Sequence, residues 1–292
     1  MLRSRFYRGL LFIDSILLLS SCFSPIDGGE TIESQDNNVT IRFVTWRQED
    51  FTRADVPLSD AATRLSVAVF LDGTKTRTVT QKAGDDDFGI VSLPLAEGSY
   101  DVVAVAHNSA EGNATLTSTQ KVTFASNKVS DTFSHCGTLT VSDGEPMTET
   151  IALNRVVAMV RFTLTSPLPS GIDRLKFYYT GGSSTLDPSA GFGCVNSKQT
   201  EYRSAVADGS PVTTFEIYTI PHEENDVLKI VITAQDSTGD DLAEWTMENV
   251  PVSRNKITTW EGTLGSGGGS VTDGNITVTV NTDWLGTQEY KF

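Results

Sequence analysis

Few residues of this sequence are arranged as a catalytic site would need them. The chain has three histidines, His107, His135 and His222, and none lies in a His-Glu-x-x-His motif or beside a Gly-x-Ser-x-Gly turn. His135 and Cys136 are residue types that can form a nucleophile and its base. However, successive residues of a strand point to opposite faces and cannot hydrogen-bond as a pair. The sequence therefore favours a protein that is not an enzyme, with no catalytic residues, although carboxylate pairs that meet only in space stay open.

The carboxylate clusters do not have the spacing of a metal site. Asp85-Asp86-Asp87 and Asp240-Asp241 could bind calcium by their chemistry, but neither follows the Asp-x-Asp-x-Asp-Gly pattern of a calcium loop. Both fall where hairpin turns are expected, and turns favour Asp. Gly265–Ser270 lacks the Lys-Ser/Thr end of a phosphate-binding loop. We predict no metal site and no cofactor.

The N-terminal residues have the layout of an export signal. Three arginines within the first eight residues precede an apolar run over residues 10–19, and the small residues Ser20 and Ser21 then lead to Cys22. The run is interrupted by Asp14 and is shorter than the about 20 apolar residues of a membrane span. We predict a signal peptide over residues 1–21.

The Leu19-Ser20-Ser21-Cys22 sequence resembles the lipobox of bacterial lipoproteins. The resemblance implies that Cys22 becomes the first residue of the mature chain, with a diacylglycerol on its sulfur and an N-palmitoyl group. Two or more acyl chains hold a protein stably at a membrane, where a single chain holds it only marginally. An ordinary cleaved signal, or the buried start of a soluble protein, is the alternative interpretation.

Charge limits the partners of the mature chain. Cleavage before Cys22 would remove three Arg and one Asp, which takes the net charge from −15 to −17. Such an acidic surface disfavours nucleic acid and anionic lipid, since both require Lys and Arg to neutralise phosphate. Cys136 and Cys194 have no metal-type spacing; outside the cytoplasm they could pair, or both could be free thiols.

Alternating apolar and polar residues predict an all-β fold. After a tether over residues 22–38, alternation begins at Val39, and the more apolar stretch Arg64–Leu71 predicts a core strand. Asp72-Gly73 and Glu97-Gly98 each predict a hairpin turn. The polar stretch 142–146 suggests a domain boundary, which gives an N-terminal β-sandwich over residues 39–147 and a C-terminal one over residues 148–292.

The second half repeats this character. Val156–Leu164 is the most continuous apolar strand, residues 181–211 predict a long irregular connection, and Gly265–Ser270 predicts a flexible linker before a last strand at Asn275–Val280. No window has the apolar spacing of an amphipathic helix. Arg64-Leu65 and Arg174-Leu175 each open a core strand, so both a duplicated fold and chance repetition stay open.

Several blocks resemble the FimB-type fimbrial anchor lipoproteins of Bacteroidetes (fimbrillin-associated anchor subunits). The most specific blocks are Leu95–Asn108 and Leu153–Phe162, and the likeness extends over about residues 39–292. The resemblance implies two tandem transthyretin-like antiparallel β-sandwich domains behind the lipoprotein signal. It also implies an outer-membrane protein at the base of a fimbrium, which ties the fimbrium to the cell and limits its length. Cys22 is the one functional residue that the resemblance assigns.

The C-terminal strand is a candidate for strand exchange with a pilin subunit. Ile276, Val278 and Val280 share one face of the predicted strand, and the Gly265–Ser270 linker would let it leave its own domain. An ordinary last strand is the alternative. If the N-terminal strand Val39–Trp46 stays in place, the groove of the first domain is filled and the protein could only donate. Arg-specific cleavage could occur after that strand, at Arg47 or Arg53.

A glycan-binding surface lipoprotein is the competing functional class. Sugar binding requires exposed aromatic platforms, whereas an anchor predicts buried tryptophans. The residues that distinguish the two are Trp46, Trp245, Trp260 and Trp284. Under either interpretation we expect a lipid-anchored protein of the outer membrane with a role in adhesion or fimbrial assembly.

Overall fold

The structure is a computed structural model of the 292-residue chain. It describes residues 37–49, 52–143, 146–207, 209–265, 268–270 and 275–279, with the backbone alone described at residues 46–49, 52–54, 270 and 275–279. None of these ranges contains a helix long and apolar enough to cross a membrane.

The predicted all-β fold of two tandem antiparallel sandwiches is confirmed. Within the described ranges the regular structure is β-strand, apart from two single 3-10 turns at Leu58–Asp60 and Ala125–Asn127. The first eleven strands are β1 (Val39–Glu49), β2 (Thr52–Pro57), β3 (Arg64–Leu71), β4 (Thr74–Lys82), β5 (Ile90–Leu93), β6 (Gly98–His107), β7 (Thr115–Ser118), β8 (Lys121–Thr123), β9 (Thr132–Val141), β10 (Met147–Ala152) and β11 (Asn154–Arg155).

The first sandwich packs two sheets around one apolar core. In one sheet β1 lies between β10, to which it is parallel, and the antiparallel strands β5 and β2. The other sheet has the order β11-β9-β6-β3-β4. Inward residues such as Ile41, Val67 and Ala104 are almost completely buried, as the strand alternation predicts. The predicted turn at Asp72-Gly73 joins β3 and β4, with positive φ at both residues.

The second sandwich is built in the same way. One sheet has the order β19-β12-β22-β24 and the other β16-β13-β20-β21-β23. Its strands are β12 (Ala158–Leu164), β13 (Arg174–Thr180), β14 (Thr185–Asp187), β15 (Phe192–Gly193), β16 (Gln199–Ser204), β17 (Val206–Ala207), β18 (Ser210–Pro211), β19 (Thr214–Thr219), β20 (Asp226–Gln235), β21 (Asp241–Val252), β22 (Ile257–Gly262), β23 (Gly269–Ser270) and β24 (Asn275–Thr279).

The two sandwiches share one topology. Strands β1, β3, β4, β5, β6, β9 and β10 correspond, in chain order and in pairing, to β12, β13, β16, β19, β20, β21 and β22. Arg64 and Arg174 begin equivalent strands. Each lies opposite the last residue of the equivalent neighbour, His107 in one sandwich and Gln235 in the other. This shared topology favours duplication over chance for the Arg-Leu repeat.

A small sheet and a separate core connect the sandwiches. Strand β8 of the first half pairs with β14 of the second, which places Val122 opposite Leu186. Both side chains are fully buried in an apolar cluster that also includes Phe70, Val103 and Ile257. Burial of residues from both halves in one cluster stabilises them as a single body.

Three local predictions are wrong. Glu97-Gly98 does not form a hairpin, because β5 pairs with β1 in one sheet and β6 with β3 and β9 in the other. Residues 181–211 are not one irregular connection, since they contain β14–β18. The Gly265–Ser270 linker is not entirely free either, because Gly269 and Ser270 pair with β21.

Candidate attachment site

The candidate donor strand lies at the edge of the second sandwich. The backbone of β24 pairs antiparallel with β22, with Ile276 opposite Trp260 and Val278 opposite Thr258. The preceding strand β23 belongs to the other sheet of the same sandwich, so the chain changes sheets between residues 270 and 275. Among the described strands β24 is the last of its sheet, β19-β12-β22-β24. It is therefore an edge strand within the described part of the chain, and edge strands can exchange between chains. Val280 and the candidate lipidation residue Cys22 lie outside the described residues.

The first strand is held on both of its edges. Residues 39–44 of β1 pair with β10, while residues 39–42 pair with β5 and residues 44–49 pair with β2. Ile41 and Phe43 are buried in the first core. The groove that removal of this strand would open is thus filled by the chain itself. The backbones of Arg47 and Arg53, the candidate cleavage points, lie in the paired strands β1 and β2.

The tryptophans that the structure describes in full are buried. Trp245 is 4% exposed and Trp260 is 2% exposed, and both contribute to the second core. The Trp260 ring lies 6.3 Å from the Phe162 ring, between centroids, and a Cβ on Gly262 would come within 2.4 Å of it. These side chains are core residues and not sugar platforms. The Trp46 side chain and Trp284 are outside the described part of the chain.

Polar contacts join the two sandwiches beside the apolar junction. Arg155 donates to both carboxylate oxygens of Asp131, at 2.6 and 2.9 Å, and to Asn255 of the second half at 3.4 Å. Lys128 donates to the backbone carbonyl of Thr200, and its Nζ lies 3.4 Å from the Glu201 carboxylate. An open cleft of about 620 Å³ lies next to this pair and is lined by residues of both halves.

The histidines have structural surroundings. Burial, with a contribution from the Arg64 charge, lowers the pKa of His107 to about 4. Its Nδ1 accepts the Ser109 backbone N–H at 3.1 Å, and its ring packs edge-to-face on Phe124. Burial also lowers the pKa of His135. His222 Nδ1 lies 3.0 Å from the Gly193 carbonyl oxygen. None of these contacts is to a nucleophile or a carboxylate.

Both later cysteines are free thiols near one turn. Cys136 Sγ lies 3.9 Å from the Thr119 carbonyl oxygen, and Cys194 Sγ lies 4.0 Å from that of Gln120. Burial and then nearby carboxylates, chiefly Asp187 for Cys194, raise the pKa of both thiols, which disfavours reactive thiolates. Among the described residues no group of His, Cys, Asp and Glu is placed to hold a metal ion.

The sequence did not reveal the polar core of β16. Gln199 is 1% and Glu201 is 9% exposed; Thr219 donates to Gln199 at 2.7 Å, and Arg203 donates to Glu201 at 3.0 Å. The alternation in Gln199–Ser204 was the available signal, but its inward positions are polar and therefore resembled a loop.

Comparison with known proteins places this tandem sandwich among fimbrial proteins. The chain belongs to the family of fimbrillin-A associated anchor proteins Mfa1 and Mfa2, whose model matches residues 32–288. The predicted family is thereby confirmed. It is a family of structural anchor and adhesin-type proteins. No curated protein matches the chain.

Several solved structures are similar to this chain at low sequence identity. A Bacteroides thetaiotaomicron protein for which polysaccharide binding has been proposed has a TM-score of 0.56 at 13% identity, covering 88% of this chain and 99% of its own. A proposed adhesin of Bacteroides ovatus has a TM-score of 0.52 at 14% identity, covering 84% and 93%. The fimbrial anchor Mfa2 of Porphyromonas gingivalis has a TM-score of 0.40 at 13% identity, covering 76% and 89%.

Proposed function

We propose that this chain is a non-catalytic lipoprotein of the outer membrane that anchors a fimbrium at its base and limits its length. Membership of the anchor family over residues 32–288 is the observation that carries the proposal. The lipid attachment is a diacylglycerol and an N-palmitoyl group on Cys22, after removal of residues 1–21. Residues 22–38 form the tether that follows.

We further propose that β24 is donated to a pilin subunit by strand complementation. Its position at a sheet edge, after a segment rich in Gly and Ser, supports this role. The filled position of β1 supports donation over acceptance at that groove. A subunit that donates its last strand but keeps its first strand in place cannot accept the strand of another subunit in that groove. It therefore ends the chain of subunits, which is consistent with control of fimbrial length.

The domain boundary that suits this role lies later than the one predicted from the sequence. Strand β10 begins at Met147 but pairs with β1, and Ile151 and Leu153 are buried in the first core. We propose that the first sandwich extends to Arg155 and that the second begins at Ala158. The apolar residues Val156 and Val157 between them lie in the junction core.

Glycan binding is the weaker candidate. The two tryptophans that the structure describes in full are buried, so neither can stack on a sugar ring. The open cleft near Glu201 includes Tyr202, which is 50% exposed. If the anchor assignment is right, replacing this side chain should not change glycan binding. The Tyr202→Ala variant and the parent chain should therefore give the same signal on arrays of cell-wall and mucin glycans.

The donor strand can be tested by charge placed on one of its faces. The variant Ile276→Asp/Val278→Asp should fold and reach the membrane but shed fimbriae into the medium, because adjacent strand residues face opposite ways and these two would enter the partner. The matched control Thr277→Asp/Thr279→Asp adds equal charge to the opposite face and should retain fimbriae. Melting curves verify folding, and shed fimbriae are counted by electron microscopy. Normal retention by a folded Ile276→Asp/Val278→Asp variant would exclude donation.

A further inference from the structure

Strand β24 of the second sandwich has no counterpart among the described strands of the first sandwich. In the second sandwich β24 covers the outer edge of β22. The equivalent strand of the first sandwich is β10, and within the described ranges β10 pairs with β1 alone. Thr148, Glu149, Thr150 and Ala152 of β10 are exposed. Among the described strands, none covers this edge of the first sandwich, at the position where the second sandwich carries β24.

The hydrogen-bond directions show which groups of β10 face outward. Met147 donates its backbone N–H to the Asn38 carbonyl, and Leu153 donates to that of Val44. Since alternate residues of a strand point their backbone groups to opposite sides, the odd-numbered residues of β10 face β1. The N–H and C=O groups of Thr148, Thr150 and Ala152 therefore point away from β1, outward from the edge of the sheet.

Strand β22 shows the same division with its outer side covered. The Lys256 carbonyl, just before β22, accepts the Met159 N–H of β12, and the Gly262 carbonyl accepts the N–H of Thr165, just after β12. The even-numbered residues of β22 therefore face β12. Ile257, Thr259 and Glu261 face β24, opposite Thr279, Thr277 and Asn275. When the two sandwiches are superposed, β10 lies on β22 and β1 lies on β12. Residues 147, 149 and 151, which face β1, then match residues 256, 258 and 260, which face β12.

We infer that the outer edge of β10 binds the C-terminal strand Asn275–Thr279 of a second copy of this chain. Superposing the repeats fixes the register: Thr148 opposite Thr279, Thr150 opposite Thr277 and Ala152 opposite Asn275 of the second copy. The bound strand runs antiparallel to β10, as β24 does to β22. It adds main-chain hydrogen bonds at an edge and leaves β1 in place. Asn275, Thr277 and Thr279 face β22 in their own chain, so the second copy must release this strand from β22 before it binds here. One copy of the strand therefore cannot be bound at β10 and donated to a pilin at the same time.

Charge sets the conditions for this contact. Two copies that each carry −15 repel one another, and salt screens that repulsion over about 8 Å at 0.15 M. The strand Asn275–Thr279 is itself uncharged. Cross-linked dimers should therefore increase with ionic strength. Binding of a peptide that contains this strand and only the charge of Asp273 beside it should change less.

The test uses the full chain in detergent and a peptide of residues 273–281 with a benzophenone photo-cross-linker at position 277. In the full chain β24 already covers β22, so the inference predicts attachment to β10 near Thr150, identified by mass spectrometry. The inference would be overturned if the peptide cross-linked only to β22, where it would have replaced β24. It would also be overturned if the peptide showed no saturable binding.

Two matched pairs test the register. N-methylation of peptide residue Thr277 removes an N–H that faces the edge and should weaken binding by about tenfold or more, whereas N-methylation of Val278 removes one that faces away and should not. Thr150→Pro in the chain should weaken binding similarly while Thr150→Ala should not. Equal effects of the two peptide modifications would overturn the register even if Thr150→Pro failed to fold. Fimbrial retention is not measured, so the anchor role stands or falls separately.

Discussion

Folding strongly lowers the pKa of His107. It is 1% exposed and its pKa falls to about 4 from an ordinary 6.5. Its neutral ring accepts the Ser109 N–H and packs on Phe124, so protonation would remove an acceptor inside an apolar cluster. These contacts indicate that His107 contributes to the stability of the fold.

Stability should consequently decrease in mild acid. The folded pKa of His107 lies below the unfolded one, so the stabilisation is complete above about pH 6.5 and is lost as the pH falls toward about 4. A depression of this size corresponds to about 3 kcal/mol at most. Denaturant unfolding of the parent chain and His107→Gln at pH 7.5 and pH 4.5 should show the smaller decrease in the variant. Equal decreases would mean that other groups cause the acid sensitivity.

In the proposed function, Cys22 is the residue through which the protein is attached to the membrane. We expect Cys22→Ala to release the protein from the outer-membrane fraction, because no thiol then remains at the predicted acylation point. The matched control Cys136→Ala removes a thiol elsewhere and should leave the protein attached. The measurement is immunoblotting of membranes after a carbonate wash. Full retention of Cys22→Ala would disprove the lipid anchor.

Among the elements, the β3–β4 hairpin shows how a turn can be specified locally. Asp72 and Gly73 have φ values of +49° and +75°, and both residues of such a tight turn require positive φ. A Cβ on Gly73 would meet no atom within 4 Å. The requirement for glycine at this position is thus conformational and not steric.

Replacement of Gly73 should therefore cost free energy without any clash. Gly73→Ala is expected to lower the free energy of unfolding by about 1–2 kcal/mol, the cost of a left-handed conformation with a Cβ. Gly265 also has open space around a Cβ but no left-handed φ, so Gly265→Ala serves as the control and should have almost no effect. Urea denaturation measures both. Equal stabilities would show that the turn tolerates a different conformation.

For the whole molecule, the junction makes the two sandwiches one cooperative body. Strands β8 and β14 pair across it, and Leu186 and Val122 are fully buried there. The Arg155–Asp131 ion pair and its contact with Asn255 lie beside this core. In the proposed function, a pull on the fimbrium would be carried from the second sandwich to the first through this junction.

Calorimetry should show one unfolding transition for both sandwiches. Leu186→Ala should lower the stability of the whole by about 2–5 kcal/mol through the cavity that it leaves. Leu242, which is 49% exposed on β21, gives the matched control Leu242→Ala, with a small effect. Two separate transitions in the parent chain would show that the junction does not couple the sandwiches.

The sequence alone determined the features that depend on neighbouring residues. Alternation has a period of two residues, so Arg64–Leu71 was identified with its correct bounds, and Asp72-Gly73 was identified as its turn. The lack of helical periodicity and of catalytic spacing also followed from local patterns. Ile41-Arg42-Phe43 and Val160-Arg161-Phe162, which occupy equivalent places in β1 and β12, were a further repeat signal that the sequence contained.

Only the tertiary structure decided which strands are neighbours. A strand pattern states that one face is buried but not which sheet covers it, so β5 and β6 were paired wrongly across Glu97-Gly98. Strand β16 resembled a loop because its inward Gln199 and Glu201 are satisfied by residues far away in sequence, Thr219 and Lys128 among them. That no described strand covers the outer edge of β10 is likewise a property of the assembled sheets. Pairing depends on long-range contacts whose energy appears only when distant segments meet.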